Sequence, residues 1–157
     1  MRILGIDPGT SLIGFGVIDV DGKNYKAVHF GDLKTGINIK NSDRVVTVYD
    51  FFDKLIKKYQ PDKLALESLF FFKNAKTVIK VSEIRGVLMC VAAKNGISLA
   101  EFTPLQVKQA VTSYGRAEKA QVQNMVKMIL GLNTIPKPDD TADALALAIC
   151  CANTVTY

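Results

Sequence analysis

The sequence has no apolar run long enough to cross a membrane. Its longest, Ala144–Ala152, falls far short of the roughly 18 residues that a span requires. It has no apolar leader either: Asp7 interrupts the first apolar stretch, so no signal peptide and no membrane partner are expected. Cysteine is scarce. Cys90, Cys150 and Cys151 form neither a CxxC pair nor a Cys/His cluster, which argues for reduced, buried thiols in a cytoplasmic compartment. The one histidine, His29, has no Cys, His or acid at a ligand spacing and reads as structural. Charge of one sign is not concentrated. A net +5 is a modest excess spread along the chain, which permits nucleic-acid binding without requiring it. Internal repeats and low-complexity linkers are absent. What remains, 157 residues with 48% hydrophobic and 22% charged content, suits one globular domain spanning residues 1–157.

The first ten residues, MRILGIDPGT, organise the rest. Ile3-Leu4-Gly5-Ile6 is a short apolar run bounded by Pro8 and Gly9, the pattern of a buried central strand. It ends in an acid, Asp7. Phe15–Val20 and Tyr25–Leu33 read as two further strands joined by the turn signal Asp21-Gly22-Lys23-Asn24. Apolar residues stepping by three and four predict a helix over Ser42–Tyr59, capped by Asn41 or Ser42. Lys63–Glu67 is a short strand that again ends in an acid. Ala75–Asn95 is a helix apolar on most sides, a candidate for a subunit interface, and Gly96 closes it. Ile97–Phe102 is a fifth strand. Thr103-Pro104-Leu105-Gln106 has the elements of a capping box, starting a helix that runs to about Ser113, with Gly115 as its breaker. Helices over Ala117–Leu130 and Asp140–Ala152 follow.

These elements predict an α/β protein: a five-stranded mixed sheet, three strands antiparallel and then two parallel, flanked by helices. A right-handed crossover puts the strand ending in Glu67 beside the one ending in Asp7. Asp140 and Asp143, three apart at the start of the last helix, share a face. Ala142, Ala144 and Ala146 let that helix sit close to the sheet. Taken singly these acids are ordinary. Asp-Pro-Gly is a turn, Glu67 a strand end, and Asp140 and Asp143 complement a helix dipole, with Asp139 a cap or a solvated charge. Taken together they need cations. Two carboxylates about 4 Å apart repel by roughly 4 kcal/mol at an effective dielectric of about 20. All-oxygen donors select hard ions such as Mg²⁺ or Mn²⁺, and a pair of such ions can clamp an in-line phosphoryl displacement.

The motifs carry a resemblance. Gly5-Ile6-Asp7-Pro8-Gly9-Thr10, Glu67-Ser68-Leu69-Phe70 with Lys73-Asn74, Gln106-Val107-Lys108-Gln109, Ala117-Glu118-Lys119 with Gln121-Val122-Gln123, and Asp140-Thr141-Ala142-Asp143-Ala144-Leu145-Ala146 together resemble the bacterial Holliday-junction resolvases of the RuvC family, in order and over almost the whole chain. The resemblance implies an RNase H-like fold and a homodimer that cuts four-way junction DNA. It implies that Asp7, Glu67, Asp140 and Asp143 are the catalytic, metal-binding acids, with two Mg²⁺ per site and Mn²⁺ as a substitute. Lys108 and Lys119 match basic residues near the scissile phosphate and the DNA backbone. Phe70 matches an aromatic that stacks on an unpaired base at the junction centre. Phe71 and Phe72 beside it stay open between core and wedge. The implied protein partner is the RuvAB branch-migration complex. Along the long helix Lys76, Lys80 and Arg85 are further candidates to meet phosphate.

Three other readings compete. A YqgF-type nuclease acting on RNA shares the Gly-Ile-Asp turn but not the Gln106–Gln123 stretch. An actin-like or sugar-kinase ATPase shares it too but needs two such domains, for which the chain is too short. A junction-binding protein without activity is set against the intact acid set.

Overall fold

The computed structural model describes residues 1–68 and 75–155. Burial on both faces forces a strand to the middle of a sheet, and β1 (Arg2–Asp7), whose interior residues are all buried, lies there. The sheet has five strands in the order β3-β2-β1-β4-β5. β2 (Leu12–Asp21) and β3 (Asn24–Lys34) form the antiparallel side; β4 (Lys63–Glu67) and β5 (Ser98–Phe102) run parallel to β1. This is the architecture that the sequence predicts. β2 is longer than expected at its start, because Leu12 and Ile13 already pair with Lys34 and Leu33.

Alternation along the strands separates two cores. Leu4 and Ile6 of β1, Ile13, Phe15 and Val17 of β2, and Leu64 and Leu66 of β4 face one side. There they meet α1 (Asn41–Tyr59) through Val48, Phe52, Leu55 and Ile56, and α2 (Ala75–Lys94) through Ile84, Leu88, Val91 and Ala92. Ile3, Ala65 and Phe102 face the other side. They meet α3 (Pro104–Thr112), α4 (Lys119–Ile129) and α5 (Asp139–Val155). By the same period of two, Gly5 and Asp7 of β1, Gly14 of β2 and Glu67 of β4 point to the α5 side.

Helix ends differ from expectation in instructive ways. The side chains of Asn41 and Ser42 do not cap α1. Its N-cap is Lys40, with no side-chain bond, while Asn41 donates to Glu83 at 2.8 Å and Ser42 to Asp43 at 3.2 Å. Long-range and neighbouring acceptors outcompete the helix's own N–H groups for these side chains. The α3 capping box forms as expected: Thr103 Oγ1 accepts from the Gln106 N–H at 3.2 Å, and Gln106 Oε1 accepts from the Thr103 N–H at 2.8 Å. α3 ends at Ser113, the expected place, with that residue at φ +60°. α4 starts two residues later than predicted because Gln121 Oε1 takes the Glu118 N–H at 2.8 Å, which makes Lys119 its first helical residue. Cys150 and Cys151 are buried, but Cys90 is exposed: it lies on the side of α2 turned away from the sheet, which corrects the expectation of three buried thiols. His29 stacks on Tyr59 with ring centroids 5.0 Å apart, a packing role.

Candidate active site

β1 and β4 are in parallel register with Ile6 beside Leu66, so the acids that end both strands are next neighbours on the α5 side. α5 brings the other two. It crosses β1 and β2 at a distance that glycine alone permits: a Cβ at Gly5 would lie 2.0 Å from the Ala144 carbonyl oxygen, and one at Gly16 would lie 2.5 Å from Leu145 Cδ2. The small residues expected on the helix are thus matched by glycines on the strands. The result is a cavity of about 270 Å³ over the ends of β1 and β4, lined by Asp7, Glu67 and Asp143 together with Lys108 and Lys119, and walled by Val107, Val122 and Leu147. Asp140, one turn before Asp143, sits outside the lining, but its charge acts on both Asp7 and Asp143.

The electrostatics are those of crowded acids. Burial pushes the Asp7 carboxyl from its ordinary 3.8 to about 8, and the negative fields of Asp143, Glu67 and Asp140 add to the shift. Burial and Asp143 raise Glu67, against the pull of Arg85 and Lys119. Burial also raises Asp143, against a hydrogen bond from Lys119. Lys119 Nζ stands 3.0 Å from Asp143 and 3.6 Å from Asp139, and Asp139 is held by Lys137 at 2.9 Å. Asp139 is therefore neither a plain cap nor a free charge; it shares the lysine of the cavity. Among the described residues no three acids, histidines or cysteines already converge on one point closely enough to enclose an ion. The donor set nonetheless suits hard divalent cations. Every polar side chain lining the cavity except the two lysines is a carboxylate, and acids this reluctant to ionise together are relieved by positive charge.

Of the predicted basic contacts, Lys108 and Lys119 both reach the cavity. Phe70 lies outside the described residues. Arg85 is not a surface contact for phosphate. It is buried, donating to the Glu67 carbonyl and the Glu101 carboxylate, a role that its place in the sequence does not announce.

The family pattern described as crossover junction endodeoxyribonuclease RuvC matches residues 3–151. The chain belongs to the RuvC family. A curated member from Ruminiclostridium cellulolyticum, itself a crossover junction endodeoxyribonuclease RuvC, is 52% identical over 153 residues, which are 98% of this chain and 92% of its own. The solved structure of Thermus thermophilus RuvC matches with a TM-score of 0.92 at 33% identity, over 99% of this chain and 95% of that one. A second structure, T. thermophilus RuvC in complex with Holliday junction substrate, matches with a TM-score of 0.92 at 31% identity and the same coverage. The RNase H-like sheet expected from the sequence is thus the family's fold.

Proposed function

We propose that this chain resolves Holliday junctions, nicking two opposed strands of a four-way DNA junction in recombination and repair. The observation that carries the reading is the shared cavity of Asp7, Glu67 and Asp143 beside Lys108 and Lys119, in a chain that belongs to a family of crossover junction endodeoxyribonucleases. The whole activity is assigned to one domain, residues 1–157.

In this reading Asp7, Glu67, Asp140 and Asp143 hold two Mg²⁺, with Mn²⁺ a substitute. When bound, such ions lower the pKa of a water and stabilise charge on the leaving oxygen. The carboxylates would hold and orient those cations, whose positive charge lets the acids ionise side by side. Lys108 and Lys119 face the same space and neutralise phosphate oxygens of the strand being cut. Lys119 leaves Asp143 for the phosphate and stays anchored near Asp139. In-line hydrolysis then leaves 5′-phosphate and 3′-hydroxyl ends. Phe70 supplies the base-stacking contact at the junction centre, worth roughly 1–3 kcal/mol per base.

Paired nicks require two sites related by a two-fold axis, so the working form is a homodimer. The outer face of α2 supports this: Ile79 is 60% and Met89 43% exposed, with Val46 of α1, 57% exposed, beside an apolar groove of Val45, Tyr49 and Val87. The partner that delivers the junction is the RuvAB branch-migration complex. Among the described residues no helix is long and apolar enough to cross a membrane, and the site of action is the cytoplasm, where the DNA is. RNA-directed cleavage of the YqgF type is not favoured. One gel tests the reading: four-way junction, linear duplex and RNA–DNA hybrid, each with Mg²⁺ and with chelator. Junction-selective, Mg²⁺-dependent cutting is expected. Cutting of the hybrid alone, or cutting in chelator, overturns it.

A further inference from the structure

Glu67 is the last residue of β4, and it stands one step beyond the point where β4 stops pairing with β1. The register with β1 ends at Leu66, so the Glu67 carbonyl lies past the last paired residue. On the other side it pairs with Phe102 of β5, and the next N–H, that of Ser68, donates to the Phe102 carbonyl at 2.8 Å. A further restraint, on the Glu67 carbonyl, comes from the opposite face of the sheet. Arg85 of α2 projects there among buried apolar neighbours, its side chain 8% exposed. One guanidinium nitrogen donates to the Glu67 carbonyl and the other to the Glu101 carboxylate. Strand alternation explains the geometry. Phe102 faces α5, so Glu101 faces α2, and the Glu67 carboxylate faces away from the arginine that holds its backbone.

We infer that Arg85 is a positioning residue for the nuclease site: by tying the ends of β4 and β5 together from behind, it sets where the Glu67 carboxylate stands for cation binding. The inference rests on the reading of the acid cavity as a metal site. The ion pair by itself is a weak reason for the arginine, because its partner Glu101 keeps 43% of its side chain exposed. The arginine's charge also favours the ionised Glu67 carboxyl, so charge and position both predict weaker cation binding when the arginine is lost. A lysine, which keeps the charge but not the fork, separates them.

The test is calorimetric titration of Mn²⁺ into the full, DNA-free chain, with folding checked by circular dichroism and junction affinity measured in chelator. For Arg85→Met, Mn²⁺ affinity falls roughly tenfold, the low end for losing an outer partner of a metal ligand, while junction affinity is unchanged. Arg85→Lys, which keeps the charge and one arm of the fork, falls between; wild-type affinity in Arg85→Lys assigns the effect to charge and overturns the inference. Should Arg85→Met fail to fold, Glu101→Gln decides, since it loosens one arm alone: weaker Mn²⁺ binding is expected there too. Mn²⁺ affinity equal to or tighter than wild type in the folded variant overturns the inference and leaves the metal site standing. A wild-type chain that takes up no Mn²⁺ overturns the metal-site reading and the inference with it.

Discussion

The carbonyl oxygen of Asp140 lies 2.0 Å from where a Cβ on Gly14 would stand, and its carbonyl carbon 2.2 Å away. The first turn of α5 thus rests directly on the backbone of β2, and the atoms in the way are main chain, which cannot rotate aside. Gly14→Ala forces that turn outward and carries Asp140 with it. The overpacking costs about 1–3 kcal/mol, and junction cleavage falls far more than junction binding. Thermal melts and a Mg²⁺-dependent cleavage assay check both; a variant that cuts at the wild-type rate refutes the placement of Asp140 in the site.

Asp7→Asn keeps the side-chain shape and the basic surface but removes one carboxylate from the cavity. Cleavage drops about a thousandfold, equivalent to roughly 4 kcal/mol of transition-state stabilisation, with junction affinity in chelator retained. Equal cutting by this variant ends the metal role of Asp7.

The same substitution has an opposite effect on stability. Asp7 is raised from 3.8 to about 8 in the fold, so between those values the unfolded chain releases a proton that the folded chain keeps. Ionisation of Asp7 therefore works against folding increasingly as pH rises from about 4 to about 8. In chelator, Asp7→Asn has a higher Tm than wild type at about pH 8, by about 2–4 °C for each kcal/mol relieved, and the gain disappears near pH 4. Melting curves at the two pH values check the sign; a gain that is larger at the acid end contradicts it.

Lys119→Ala takes one cation from the strand path. The log–log salt dependence of junction binding flattens by about 0.9 for each phosphate that the lysine neutralises in the wild-type complex, and cleavage slows. Lys137→Ala, whose partner is Asp139, leaves that slope as it was. Equal slopes for Lys119→Ala and wild type, measured by anisotropy across a salt series, show that Lys119 does not meet the DNA backbone.

Phe70→Ala impairs the cutting of intact junctions more than it weakens binding to linear duplex. Comparing cleavage of junctions and binding of duplex by the same preparation checks this, and an unchanged junction rate refutes the wedge.

Much of this architecture is written in local patterns. The strand order follows from β1 being apolar on both faces and from two acids that each end a short apolar run. The capping box at Thr103 and Gln106 is a sequence motif and forms as one. Several departures come from partners that are far away in sequence. Asn41 is lost as a cap to Glu83, 42 residues on. Arg85 is drawn inward by groups 16 and 18 residues away, and nothing in the helical pattern of α2 separates it from a solvated lysine. Cys90 shows the same ambiguity in reverse, being apolar in character but on the outer face. The end of α3 at Ser113 is legible; the left-handed conformation that makes it is not. At the cavity, the meeting of Asp7, Glu67 and Asp143 with Lys108 and Lys119 is legible as a set. That Asp139 shares Lys119 is not, because the ion pair depends on where Glu118 and Gln121 start α4.

The acids of the cavity come from β1, β4 and α5, and α5 is the last element that the ribosome makes among those described. Until it docks over the glycines of β1 and β2, a growing chain carries Asp7 and Glu67 alone. On the proposed reading, a chain that has not yet made α5 lacks Asp140 and Asp143, and the cutting centre is assembled only when that helix docks.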